Sequence, residues 1–151
     1  MIALSEGITP EHLAQTYTDP LMSRVSDDGQ QMYPVFHELA QYLSAWVDDV
    51  FVGAYLVIRY SRFEYEAHSL LTTKATLHAR KLGALLLEWV FGHDEVLRVT
   101  GYIRDGLTSA INHCLRMGFV REGFRRNAVL CNGVPTGIHI LGITREDWGK
   151  L

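Results

Sequence analysis

Hydrophobic positions in this chain recur either every second residue or every third to fourth, and each switch of period marks an element. The stretch 72–91, TTKATLHARKLGALLLEWVF, starts polar and basic and then turns apolar. Leu82, Leu85, Leu86, Trp89 and Val90 fall on one helical stripe, and Ala84, Leu87 and Phe91 add a second. A helix with two apolar stripes is expected to be buried on two sides. Just before it, 63–71 (FEYEAHSLL) sets Glu64, Glu66 and His68 against Tyr65, Ala67 and Ser69, the alternation of a strand. Strand, polar loop and buried helix form the unit around which the rest is arranged.

Upstream, Thr9 as cap and Pro10 at the first position predict a helix that Asp19-Pro20 ends. Residues 1–8 read as a short, frayed strand and 26–31 as a loop. Part of 42–49 reads as a strand, Asp48-Asp49 as a turn, and 50–60, rich in Val, Ile and Tyr, as a long strand. Residues 42–71 are thus expected to form three successive antiparallel strands. The strand 95–103 is reached only through the buried helix, so it should run parallel to 63–71. Residues 104–106 turn the chain, and Thr108 or Ser109 caps a helix that stops at Gly118. Asn132-Gly133 between two β-type runs signals a hairpin. The expected fold is α+β, a mixed and mostly antiparallel sheet with helices on its faces, in a single domain over 1–151.

Bulk properties narrow the function classes. With 151 residues the chain is long enough for a real core, and its formal charge of −3 argues against nucleic acid as a partner of the whole surface. No apolar run reaches the roughly 18 residues of a membrane span, and the start MIALSEGITPEHL lacks the basic and apolar regions of a secretory signal. Cys114 and Cys131 form no CxxC pair, so a reducing cytoplasm is expected. The histidines have no metal-ligand spacing, and no metal is expected. One local feature stands out: His78, Arg80 and Lys81 crowd the start of the buried helix. Backbone N–H groups, a positive dipole end and basic side chains there suit a phosphate, although a solvated helix start has the same composition.

With these blocks assigned, the chain resembles the GNAT superfamily of N-acetyltransferases, especially the branch that acetylates ribosomal-protein N-termini. HARKLG at 78–83, followed by ALLL, stands where that family has a Q/R-x-x-G-x-G/A loop and paired Leu. SAINHCLRMGF at 109–119 is similar to its short helix ending in Gly-Phe, and the tail from 120 to 148 to its closing hairpin. The resemblance implies a central parallel strand pair splayed for acetyl-CoA, with helices on both faces. It implies acetyl transfer from acetyl-CoA to a primary amine of a small molecule or peptide by direct attack, without a metal; a homodimer is among the assemblies it allows. The implied cofactor contacts are Leu71, whose strand N–H would polarise the thioester, Thr73, and His78, Ala79, Arg80, Lys81, Leu82, Gly83 and Ala84 around the phosphates.

An attacking amine is protonated at neutral pH and must lose a proton, so the polar face of the central strand becomes a candidate for general base. The resemblance favours Glu66, with His68 second; the alternative is that this face is merely wet. Cys114 stands where many GNAT enzymes carry the Tyr that protonates the leaving thiolate. Lys81 replaces the first loop glycine, His78 the Gln or Arg, and Leu107 an Asn that holds the pantetheine arm. These departures motivate a second expectation, a weak or inactive GNAT-like module acting through protein contacts.

Overall fold

The computed structural model describes residues 1–25 and 36–151. In chain order it contains β1 (Ile2–Glu6), α1 (Pro10–Thr18), α2 (Pro20–Val25), β2 (Ala40–Val47), β3 (Val50–Arg59) and β4 (Glu64–Leu71). A 3-10 helix (Thr73–His78) leads into α3 (Ala79–Phe91), followed by β5 (Arg98–Arg104), α4 (Thr108–Arg116), β6 (Val120–Cys131), β7 (Val134–Thr144) and α5 (Arg145–Trp148). The loop expected at 26–31 lies outside the described residues.

The strands form one seven-stranded sheet in the order β1-β2-β3-β4-β5-β7-β6. β4 and β5 are parallel and every other neighbouring pair is antiparallel, as the pattern of connections predicts. The Asn132-Gly133 hairpin has both residues at positive φ, 52° and 74°, which matches the twist of the strands it joins. Gly118 ends α4 at φ 99°, the left-handed residue foreseen there.

Alternation along β4 divides its side chains between two layers. Tyr65, Ala67 and Leu71 join the large core under α3, built from residues such as Leu43, Tyr55, Leu82, Leu86, Val90, Val99, Leu141 and Ile143. Leu70 joins a smaller cluster under α1 and α2, with Leu13, Met22, Tyr42, Ala54 and Leu56. Helices therefore cover both faces, and β4 lies at the centre of the sheet.

Four expectations need correction. The polar segment after β4 is a 3-10 helix stacked directly on α3, not a loop. α3 buries one broad stripe, Leu82, Gly83, Leu86, Leu87, Val90 and Phe91, while Ala84 is exposed beside Arg80, Lys81 and Glu88. α4 starts at Thr108 with Leu107 as its N-cap and no capping side chain, because the Arg104–Leu107 turn, with Gly106 at φ 93°, sets the boundary. The tail holds a further helix, α5, closed by a capping box between Thr144 and Asp147. Its Arg145 donates to the carbonyls of Phe91, His93 and Val96 at 2.8–3.0 Å and so satisfies the C-terminal end of α3.

Candidate functional site

β4 and β5 pair at only Glu64↔Arg98, Tyr65↔Val99 and Glu66↔Thr100. Beyond these positions each strand stays held on its outer side. β4 pairs with β3 as far as Gly53↔Leu71, and β5 pairs with β7 as far as Arg104↔Ile138. The result is a wedge-shaped opening in the middle of the sheet, at the C-terminal ends of both strands. Thr72 N–H donates to Val52 O at 2.9 Å, so residue 72 turns its backbone toward β3. Alternation then turns the N–H groups of Leu71 and Ser69 toward the opening. Gly101 is the first β5 residue past the pairing, and a Cβ built on it meets nothing within 4 Å. Free space therefore exists on the α3–α4 face at the point where the strands part company, and a lone glycine inside a strand pattern was its only trace in the sequence.

On the opposite face the polar residues of β4 form defined pairs. Glu66 Oε1 lies 2.6 Å from His68 Nε2, with the two side chains 23% and 36% exposed. Glu64 is engaged elsewhere: its Oε2 accepts the Thr100 hydroxyl at 2.6 Å, and Thr100 accepts Arg98 Nε at 3.0 Å. Arg98 also pairs with Glu122. Tyr102, next along this face of β5, has its phenol pushed above the ordinary value by burial and then by the charges of Glu66 and Glu64, with Arg125 acting the other way. Arg98, Thr100 and Tyr102 were not singled out from the sequence. They reach Glu64 and Glu66 only through the parallel register.

At the cofactor-side end, Leu71 is half-buried at the close of β4. The Thr73 N–H lies 3.2 Å from both carboxylate oxygens of Asp19, so this expected cofactor donor is already engaged. His78 is the N-cap of α3, Ala79 begins it, and Arg80 and Lys81 lie in its first turn, with Lys81 exposed. Leu82 and Gly83 are buried, whereas Ala84 faces out. Gly83 sits against α4: a Cβ there would meet the Met117 thioether at 2.5 Å and His113 Nε2 at 3.7 Å. Its small size thus serves a helix–helix contact. His113 is held below the ordinary imidazole value by burial and then by the charges of Arg116 and Arg80.

Cys114 packs against the large core, and burial pushes its thiol up to about 11. It lies close enough to the buried Tyr55 to help raise that phenol, after burial itself. Glu66 and His68 are therefore together on one face of β4, while Cys114 lies on the other. Among the described residues no group of three His, Cys, Asp or Glu side chains could hold a metal ion, and no helix is long and apolar enough to cross a membrane.

No family model matches this chain, and no curated protein matches it in sequence. Solved structures do match in shape. A spermidine N-acetyltransferase from Vibrio cholerae, in complex with CoA and spermine, superposes with a TM-score of 0.80 over 97% of each chain at 14% identity. Mutant forms of the Vibrio cholerae spermidine/spermine N-acetyltransferase give a TM-score of 0.79 over 99% of this chain and 98% of theirs, again at 14% identity. The chain has the GNAT-like α+β fold, with its parallel pair splayed at the centre.

Proposed function

We propose that this chain is an acetyl-CoA-dependent N-acetyltransferase that moves acetyl to a primary amine by direct attack. The observation that carries the reading is the opening between β4 and β5, which has backbone N–H groups of Ser69 and Leu71 on its edge and the Glu66–His68 pair on the adjoining face. Free space over Gly101 gives an extended arm room to lie in the opening. Phosphates of the co-substrate would be held at His78, Ala79, Arg80, Lys81, Leu82, Gly83 and Ala84, with Arg116 of α4 nearby. The Leu71 N–H would polarise the thioester carbonyl as negative charge develops on its oxygen. Glu66, assisted by His68, would take the proton that an ammonium group must lose before its nitrogen attacks the carbonyl carbon. The C–S bond then breaks, the CoA thiolate leaves, and the second proton on the nitrogen passes to the thiolate or to water, leaving the neutral amide.

Cys114 is assigned to packing in this reading. A thiol held near 11 donating to a thiolate of ordinary value, about 8.5, would move a proton uphill by roughly 3 kcal/mol. A small aliphatic amine is the favoured acceptor over a ribosomal-protein N-terminus, because structures of like shape include spermidine and spermine acetyltransferases. Two free, scattered cysteines fit a cytoplasmic setting.

The test joins calorimetry with acetyl-CoA to a thiol-release assay against polyamines, simple alkylamines and N-terminal peptides. Binding with release on alkylamines or polyamines is expected, together with a thermal shift equivalent to about 2.7 kcal/mol at a hundredfold excess over the dissociation constant. Gly101→Leu should weaken acetyl-CoA binding about tenfold or more without loss of stability, since it fills free space. Binding without turnover on any amine would favour the module reading, and no binding at all would leave only that reading.

A further inference from the structure

α1 and α2 are separated by a single residue, Asp19. Its carbonyl accepts the Met22 N–H at 3.0 Å and its Oδ1 accepts the Leu21 N–H at 3.0 Å, so it caps the start of α2. The same carboxylate reaches the far end of β4. Both oxygens accept the Thr73 N–H at 3.2 Å, and Oδ2 accepts the Thr73 hydroxyl at 3.2 Å. Thr73 opens the 3-10 helix, two residues after Leu71. From the other side, the Thr72 N–H and hydroxyl both donate to Val52 O, at 2.9 and 2.8 Å. The turn that ends β4 is thus clamped between β3 and the α1–α2 junction.

The apolar attachment of the helices on this face is small. His12 stacks on Phe51 near the start of α1. Leu13 and Met22 are the buried residues that α1 and α2 bring to the small cluster with Tyr42, Ala54, Leu56 and Leu70. With Ile8 and Tyr17 packed beside them, these residues hold the layer by apolar contact, and the charge-assisted contact spanning 54 residues adds a directional tie to it. We propose that Asp19 is a positioning residue: it ties the helices on the Glu66–His68 face of β4, from which the amine would approach its base, to the turn that follows Leu71. The helix layer on the face that carries Glu66 and His68 is thereby fixed against the end of β4, beside which the thioester would lie. The tie itself stands on geometry; its consequence for kinetics rests on the transferase reading above.

Two variants isolate the tie. Asp19→Ser keeps a good cap for α2 but is too short to reach Thr73. Thr73→Pro removes the donor from the other side. Thr72 has φ −86° and ψ 173°, the extended conformation that a residue before proline adopts, and proline is accepted at the first helical position. Hydrogen exchange on the full chain is the primary readout. Each variant should speed exchange in residues 10–22 about tenfold, and the double variant should add little, because both break one contact. Exchange in β5 and β7 should not move. With a working acceptor, Asp19→Ser should raise KM for the amine about five- to tenfold while its kcat and KM for acetyl-CoA stay within about twofold. Asp19→Asn, which retains one acceptor oxygen, should recover part of the loss. Unchanged exchange over 10–22 in Asp19→Ser, or multiplying effects in the double variant, would overturn the proposal. Absence of turnover on every amine would sink the transferase reading and leave the exchange result to decide the tie.

Discussion

On the α3–α4 side of the sheet, the buried residues run as one core from Leu43 on β2 to Ile143 on β7. On the α1–α2 side a much smaller cluster covers the sheet around Leu56 and Leu70, and toward β5 the face turns polar with Glu64, Glu66, His68, Arg98, Thr100 and Tyr102. β4 supplies both, residue by residue in alternation. The difference teaches where this domain keeps its stability and where it keeps its chemistry. Polar groups can be held half-buried on one face because the other face carries most of the apolar burial. Glycine serves the larger side too: Gly53, at φ 135°, lets β3 approach the backbone of Leu71, where a Cβ would stand 2.5 Å from its Cα.

The comparison breaks most visibly on the polar face. Glu66→Gln keeps the shape and removes a proton acceptor, so turnover should fall by roughly 10²–10⁴ at neutral pH while acetyl-CoA affinity and melting temperature hardly change. Steady-state rates and calorimetry check this. A loss under about fivefold would hand the proton to His68 or to water.

A smaller effect, on stability, sharpens the contrast between the cores. Leu82 is fully buried in the large cluster, and Leu82→Ala should cost about 3–4 kcal/mol in denaturant unfolding. Leu13 lies in the small cluster at 8% exposure, and Leu13→Ala should cost nearer ~2 kcal/mol. Equal losses would mean that the α1–α2 layer is as strongly packed as the other.

The smallest effect is alkaline. The Cys114 thiol rises from 9.0 to about 11 on folding through burial. Between these values the unfolded chain has lost the proton and the folded chain still binds it, so stability is full below pH 9 and falls as pH rises toward 11. The loss should be of order 1–2 kcal/mol, and Cys114→Ala should flatten the curve between about pH 9 and 10, below the range where the raised tyrosines begin to titrate. On the other face Tyr17 is pushed up to about 12 by burial and then by Tyr42, so its own loss should start later, above pH 10, and should survive the Cys114 change.

The sequence by itself determined the order of elements from β2 to β7, because period-two and helical stripes are local properties that survive any packing. It also determined the parallel relation of β4 and β5, since a strand reached through a helix has little other choice. Glu66 and His68 were legible as one face of a strand for the same reason. What the chain could not disclose depends on contacts between distant segments. Register alone brings Thr100 and Arg98 to Glu64 and Tyr102 toward Glu66, across more than thirty positions of sequence. The packing of α4 on α3 decided that Gly83 makes room for Met117 and that Cys114 points into the core. α5 had a local signature, the Thr144–Asp147 capping box, yet a four-residue helix has too little periodicity to read, and its Arg145 is anchored by carbonyls of Phe91 at the end of α3 and of His93 and Val96 beyond it. The tie from Asp19 to Thr73 is the extreme case: an ordinary helix-breaking Asp-Pro and an ordinary polar Thr acquire a joint role only when the sheet brings the end of β4 beneath the α1–α2 junction.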